Sequence, residues 1–283
     1  MKLSFISFWA YSVIFIPLSS AANPNDCSGT NKERTGSDFT LQESPDNPHL
    51  SALATKLANR KVSVATLLNS ANYALTTEDL AKPIEAYKWE HSSDFNDETT
   101  EKWVPQGITS TADALGEGTY EGKTAWIVSW HRGGSKADTD SSARVTFVDQ
   151  GTKKYRHAML VNPTSDDNFE AVPVHAGGIV WHGDTLWVID SHSLDGAVGF
   201  RVFDLSNIWT MNSDGGDKFG KSGDSYFADG YLYAIPQIRS YTWIPSFGFQ
   251  FSFVSLDRTD TPDTLLVGEY HTQTEDAPRR FVK

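Results

Sequence analysis

Three pairs of strand-like segments recur along the second half of the chain. The first members are residues 126–131, 186–191 and 232–237, and the second members are residues 144–149, 200–205 and 251–257. All are rich in aromatic and branched aliphatic residues, which suit a half-buried pleated surface. The second members follow one another at about 50 residues, the period of a β-propeller blade. Turn signals fall where such units need them. His182-Gly183-Asp184 and Asp229-Gly230 each stand just before an aromatic-rich segment, and glycine supplies the positive φ of a tight hairpin. Three units result, over residues 106–161, 175–205 and 226–270. The expected fold class is all-β and β-propeller-like, with a short helical or irregular N-terminal segment. Propellers close with about four to eight blades. Three units, with residues 83–108 as a source of further strands, predict an incomplete ring or one with a diverged blade.

The segments before these units read differently. Residues 1–22 have the pattern of a secretory signal: a basic Lys2, an apolar run from Leu3 to Leu18, and a small-residue exit at Ser20-Ala21-Ala22. A secreted, extracellular protein is expected, with no stable membrane insertion after cleavage. Cleavage removes Lys2 and takes the net charge from −12 to −13. Such an acidic chain is poorly suited to nucleic acid, whose phosphates demand Lys and Arg. The expected partner is instead an extracellular ligand or protein. Cys27 is the only cysteine, so no intrachain disulfide can form. Stability must come from burial, for which nine Trp, ten Tyr and sixteen Phe supply large areas.

Residues 23–50 read as a flexible polar leader. In residues 51–82 and just before them, Leu50, Leu53, Leu57, Val62, Val64, Leu67 and Leu68 are spaced for a helical or wrapping segment. Thr76-Thr77-Glu78-Asp79 resembles a further helix start. The propeller-like domain spans residues 83–283 and opens with the alternating residues 84–89.

The stretch from Trp103-Val104-Pro105-Gln106-Gly107-Ile108 through Tyr155-Arg156-His157, His175-Ala176-Gly177-Gly178-Ile179 and Arg201-Val202-Phe203-Asp204-Leu205 to Val267-Gly268-Glu269-Tyr270 resembles a group of secreted propeller-like proteins of actinobacteria and fungi. The resemblance covers residues 103–270, about 60% of the chain. It implies a propeller-like fold and brings no catalytic assignment, since the function of that group is uncharacterised. A more distant similarity is to gluconolactonase-type propellers, in which acidic or amide residues near inner-strand starts hold a central calcium. The corresponding residues here are Gln106, His175 and Asp229. They offer one carboxylate, where calcium takes about 6–8 oxygen ligands. Calcium or another divalent metal is thus the one cofactor under consideration.

Chemistry-bearing residues concentrate between His131 and His192, with His157, His175 and His182 between them. Imidazoles serve as metal ligands and as acid–base groups. No His-Glu-x-x-His spacing and no Gly-x-Ser-x-Gly elbow is present. His182 falls in a hairpin turn and His157 on an outer strand. His175 and His192 are placed to face a channel, and Asp190 precedes His192 by two residues, so both share a face if the strand continues. The catalytic candidates are His175, Asp190 and His192; the metal candidates are His175 and Asp229. Residues 212–217 with Asp224, and residues 138–142, are polar loops that fail the EF-hand pattern. Trp209 and Trp243 lie near loops and are candidates for stacking on a sugar, whereas Trp126 and Trp187 read as core. These features point to an extracellular binding or interaction protein. The alternative is a secreted metal-dependent hydrolase of lactonase or esterase type.

Overall fold

Alternating burial organises the chain. In residues 125–132, Ala125, Ile127, Ser129 and His131 take one face, and Trp126, Val128, Trp130 and Arg132 the other. The computed structural model describes residues 39–79, 85–93, 95–133, 141–191, 198–245, 249–270 and 280–283. Strands account for 53% and helices for 11%, so the all-β class holds. Residues 1–22, Cys27, the leader up to residue 38, His192 and residues 138–140 lie outside the described residues.

The elements run in the order β1 Phe39–Glu43, α1 Leu50–Lys56, β2 Lys61–Val62, α2 Val64–Asn69, β3 Tyr73–Ala74, β4 Thr76–Glu78, β5 Ala86–Lys88, β6 Trp103–Ser110 and α3 Thr111–Ala114. Then come β7 Ala125–Arg132, β8 Ala143–Asp149, β9 Lys154–Ser165, β10 Asn168–Ala171, β11 Ile179–His182, β12 Thr185–Ile189, β13 Val198–Asp204 and β14 Ile208–Thr210. The last are β15 Phe219–Ser222, β16 Ser225–Ala228, β17 Tyr233–Pro245, β18 Phe251–Asp257, β19 Thr264–Glu269 and β20 Phe281–Val282. Helices of seven and six residues such as α1 and α2 are too short to persist alone and depend on tertiary packing. Leu53 of α1 and Val64, Leu67 and Leu68 of α2 are buried accordingly.

Eight strands form a nearly closed, barrel-like sheet in the order β11-β12-β13-β17-β9-β8-β7-β6. Two expected units are recognisable in it. β6 to β9 form an antiparallel meander, and β11 to β13 another, turning at Gly183 with φ 56°.

The third expected unit does not form. β17 pairs in parallel with β9 and antiparallel with β13, so it welds the two meanders into one sheet. β18 leaves for a separate three-stranded sheet with β19 and β20. A radial array of independent blades is therefore replaced by continuous hydrogen bonding. The reason lies in the length of β17, 13 residues. Its first part also pairs with β14, and its later part with β1 and β13. Pro236 stands between the last β14 pair, at Ala234, and the first β13 pair, at Gln237, where a missing N–H is tolerated.

The two ends of the sheet, β6 and β11, meet without a ladder. Trp181 N donates to Thr109 Oγ1 at 3.1 Å, and Ser129 Oγ donates to Ala176 O at 2.8 Å. At the seam a Cβ on Gly107 would lie 2.9 Å from the Gly178 Cα and from the Ile179 nitrogen. Only a glycine admits so close a backbone approach.

The barrel interior is apolar, with Ile127, Phe147, Leu160, Trp181, Leu186, Phe203 and Ile235 among its side chains. A second core covers the outer face of β7 to β9, with Leu53, Leu57, Trp130, Met159 and Trp209. β8 is consequently buried along its whole length. A third cluster gathers Phe200, Trp243, Phe249 and Phe251. Trp209 and Trp243, expected at loops, are 0% and 5% exposed. They are core residues with no face for a sugar. The helix start expected at Thr76-Thr77-Glu78-Asp79 is instead β4, because Thr76 to Glu78 pair with Lys88 to Ala86 of β5.

Candidate functional site

The second core contains a charged network that the strand register assembles. Thr146 of β8 stands opposite His157 of β9, and Arg144 stands opposite Trp130 of β7. All four project from the outer face of the barrel. The segment between β5 and β6 adds Asp97, held by its own N–H to Glu90 O at 3.0 Å. Asp97, Arg144, Thr146, Tyr155 and His157 are all buried.

The protons can be assigned in sequence. Trp130 Nε1 can only donate, and it does so to Thr146 Oγ1 at 2.7 Å. The Thr146 hydroxyl then donates to His157 Nδ1 at 2.7 Å. His157 therefore carries its proton on Nε2 and donates to Asp97 Oδ2 at 2.8 Å. Tyr155 donates to the same oxygen at 2.9 Å. Arg144 Nη2 donates to Asp97 Oδ1 at 2.6 Å, and Nη1 to the Tyr231 hydroxyl at 2.7 Å. The guanidinium carbon lies 4.8 Å from the Trp103 ring centroid and 4.7 Å from that of Trp130, within cation–π range.

Burial drives His157 down to about 4, aided by the Arg144 charge and opposed by Asp97. Burial raises the Asp97 carboxyl, but the His157 hydrogen bond and the Arg144 charge outweigh it and hold the group at about 2. Burial and the Asp97 charge raise the Tyr155 hydroxyl, which stays a donor. The result is an Arg144–Asp97 ion pair beside a neutral imidazole.

Asp97, His157 and Thr146 follow the carboxylate–imidazole–hydroxyl order of nucleophilic hydrolases. Thr146 is 0% exposed, however, and its oxygen already accepts from Trp130. In this arrangement the relay orients side chains and offers no nucleophile to a substrate.

A cavity of about 220 Å³ opens against this network. Tyr231 and His157 line it on the network side, Tyr73 and Asn72 at β3, Arg156 on β9, and Ser213 in the loop after β14. Gly230 shapes it. Asp229 and Gly230 have φ of 50° and 75°, and Tyr231 N bonds to Ala228 O at 2.9 Å. This is the two-residue positive-φ turn that Asp-Gly favours, and it aims Tyr231 at Arg144. The Tyr73 ring stacks on Phe95 with centroids 3.6 Å apart.

The residues singled out by sequence that are described each have neighbours of their own. His175 packs its ring 4.1 Å from that of His131. Asp190 accepts from Arg201 Nε at 3.1 Å, and Arg201 also reaches Gln237 Oε1 at 3.3 Å. Asp229 lies 3.1 Å from Lys102 Nζ and 3.6 Å from Arg132 Nη1. His182 meets Asp263 at 3.1 Å, and Gln106 lies half-buried on β6. No group of three or more His, Cys, Asp or Glu side chains placed to hold a metal occurs among the described residues.

Sequence reasoning set His157 aside as an outer-strand residue and passed over Asp97, Arg144, Tyr155, Arg156 and Tyr231. One signal was available. Arg144 and Thr146 share a strand face with apolar Val148, and a polar pair so placed needs buried partners. Comparison with protein-family models, with curated proteins and with solved structures finds no match.

Proposed function

We propose that the chain is an extracellular binding protein whose ligand occupies the cavity at Tyr73, Arg156 and Tyr231. The carrying observation is the coupling of that cavity to a rigid frame. Its His157 and Tyr231 walls are held by the Asp97–Arg144 network, and fixed walls reduce the ordering cost of binding. The lining joins two phenol rings with amide, hydroxyl and guanidinium groups, a composition that suits a small polar solute. Pockets for drug-sized ligands run to about 300–1,000 Å³, so at about 220 Å³ this one suits something smaller. The extracellular setting rests on the signal-like residues 1–22.

Two measurements test this reading. Expressed with its own amino terminus in a secreting host, the protein should collect in the medium with its first residue just after Ala22. An NMR screen of the purified protein should cover neutral sugars, polyols, amino acids and carboxylates. At least one class should shift the Gly230 and Tyr231 amides saturably. If no class moves them, the cavity is not a binding site.

A further inference from the structure

We infer that the cavity is an anion site for a small monocarboxylate, with Arg156 as its charged anchor. This deepens the binding reading and rests on it. Arg156 is the one cation among the described residues that line the cavity. Its side chain makes one long hydrogen bond, Nη1 to Ser70 O at 3.4 Å, and rests 5.6 Å from the Tyr233 ring centroid. Among the described residues no carboxylate pairs with it, although the chain carries 36 Asp and Glu against 24 Lys and Arg. The other charged groups nearby cancel. Arg144 is neutralised by Asp97, and His157 is held neutral between Thr146 and Asp97. Among the described residues, the site therefore presents one positive charge without a paired carboxylate.

The remaining groups complete a donor set. The Tyr231 hydroxyl accepts from Arg144 Nη1, which leaves its own proton to donate. Tyr73, Ser213 and Asn72 add two hydroxyls and an amide, and no Asp or Glu is among the described residues that line the cavity. A planar guanidinium fork matches a carboxylate with two parallel hydrogen bonds. One charge balances a monocarboxylate, whereas a phosphate dianion would leave charge uncompensated. The small volume restricts the rest of the ligand to a short, polar body.

The test is a titration of the full protein with sodium pyruvate, sodium acetate, glycerol and inorganic phosphate, followed at the Gly230 and Tyr231 amides. Pyruvate and acetate should saturate, and glycerol should not. Arg156→Gln should weaken pyruvate about 10- to 100-fold, the size of a hydrogen bond to a charged group. Arg156→Lys should retain part of the binding. Circular dichroism confirms that each variant folds, and the exposed rim change Asn72→Ala supplies a second, milder reading with a smaller loss. Glycerol binding without carboxylate binding overturns the anion assignment and leaves the cavity reading intact. Phosphate binding at least tenfold tighter than pyruvate overturns the carboxylate in favour of phosphate. Pyruvate binding that Arg156→Gln does not change overturns the anchor.

Discussion

His157 donates Nε2–H to Asp97 at 2.8 Å while accepting the Thr146 hydroxyl proton at Nδ1. The imidazole is thereby fixed in one tautomer, neutral, inside the second core. This relationship governs how stability should respond to acid.

The sign follows from the direction of each shift. His157 is depressed from 6.5 to about 4 in the folded protein. Above pH 6.5 neither state binds the proton, and stability is full. As pH falls from about 6.5 to about 4, the unfolded chain takes up a proton that the folded chain refuses. Stability should drop by up to about 1.4 kcal/mol per pH unit from this one group. Asp97, lowered from 3.8 to about 2, adds a further loss below about pH 3.8. Urea denaturation at pH 8, 6 and 4.5 checks this. His157→Gln should lower the baseline and flatten the slope between pH 6.5 and 4.5; an unchanged slope would show that the imidazole is not held neutral.

Arg144 and Asp97 should behave as a coupled pair. Both are buried, with side-chain exposures of 1% and 2%. Removing one partner strands the other, at a cost of about 3–5 kcal/mol. Arg144→Met alone should show that loss. The double variant Arg144→Met with Asp97→Asn should fall short of the summed single losses by about 0.5–3 kcal/mol. Strict additivity in the cycle would refute the coupling.

Local pattern reached the meanders and stopped at the joins. Alternation in residues 125–132 and 186–191 reports which face is buried, so the strands and the Gly183 hairpin were readable. The partner of β17 was not, because its first five residues, Tyr233 to Gln237, are all buried and such a run reads alike wherever it is inserted. Likewise the 50-residue spacing records similar strand pairs and says nothing of whether Tyr233 to Pro236 pair forward with β18 or back with β9. The site was hidden for a related reason. Asp97 lies in an acidic stretch whose composition suggests solvent, and only the tertiary fold brings it to Arg144, 47 residues away. Asp229, chosen as a metal candidate from its place before a strand, lies within ion-pairing distance of Lys102 and Arg132, neighbours that its local sequence does not reveal.

A direct link from β6 to β11 runs through a hydroxyl. Thr109 is 4% exposed and accepts the Trp181 backbone N–H at 3.1 Å while its own proton goes to Asp113 at 2.9 Å. Thr109→Val keeps the shape and removes the acceptor, leaving a buried N–H unpaired. A loss of about 1–3 kcal/mol is expected, with Thr109→Ser losing less. Hydrogen exchange offers the sharper readout. The Trp181 amide should exchange faster in Thr109→Val, and equal protection would place the closure of the barrel elsewhere.

Glycine at the same seam gives a steric test. A Cβ on Gly178 would stand 2.7 Å from the Val254 nitrogen and 2.9 Å from the Phe253 Cα. These are backbone atoms of β18, so no flexible side chain can give way, and the three-stranded sheet must shift as a body. Gly178→Ala should cost about 1–3 kcal/mol, the range for overpacking, and should speed proteolysis within residues 249–270 by loosening β18 from β11. Gly107→Ala should cost a similar amount through its clash with Gly178 and Ile179. Gly116 is the control, since a Cβ there meets nothing within 4 Å, and Gly116→Ala should stay within about 0.5 kcal/mol of the parent. If Gly178→Ala is as stable as Gly116→Ala, β18 does not rest on the Gly177-Gly178 segment.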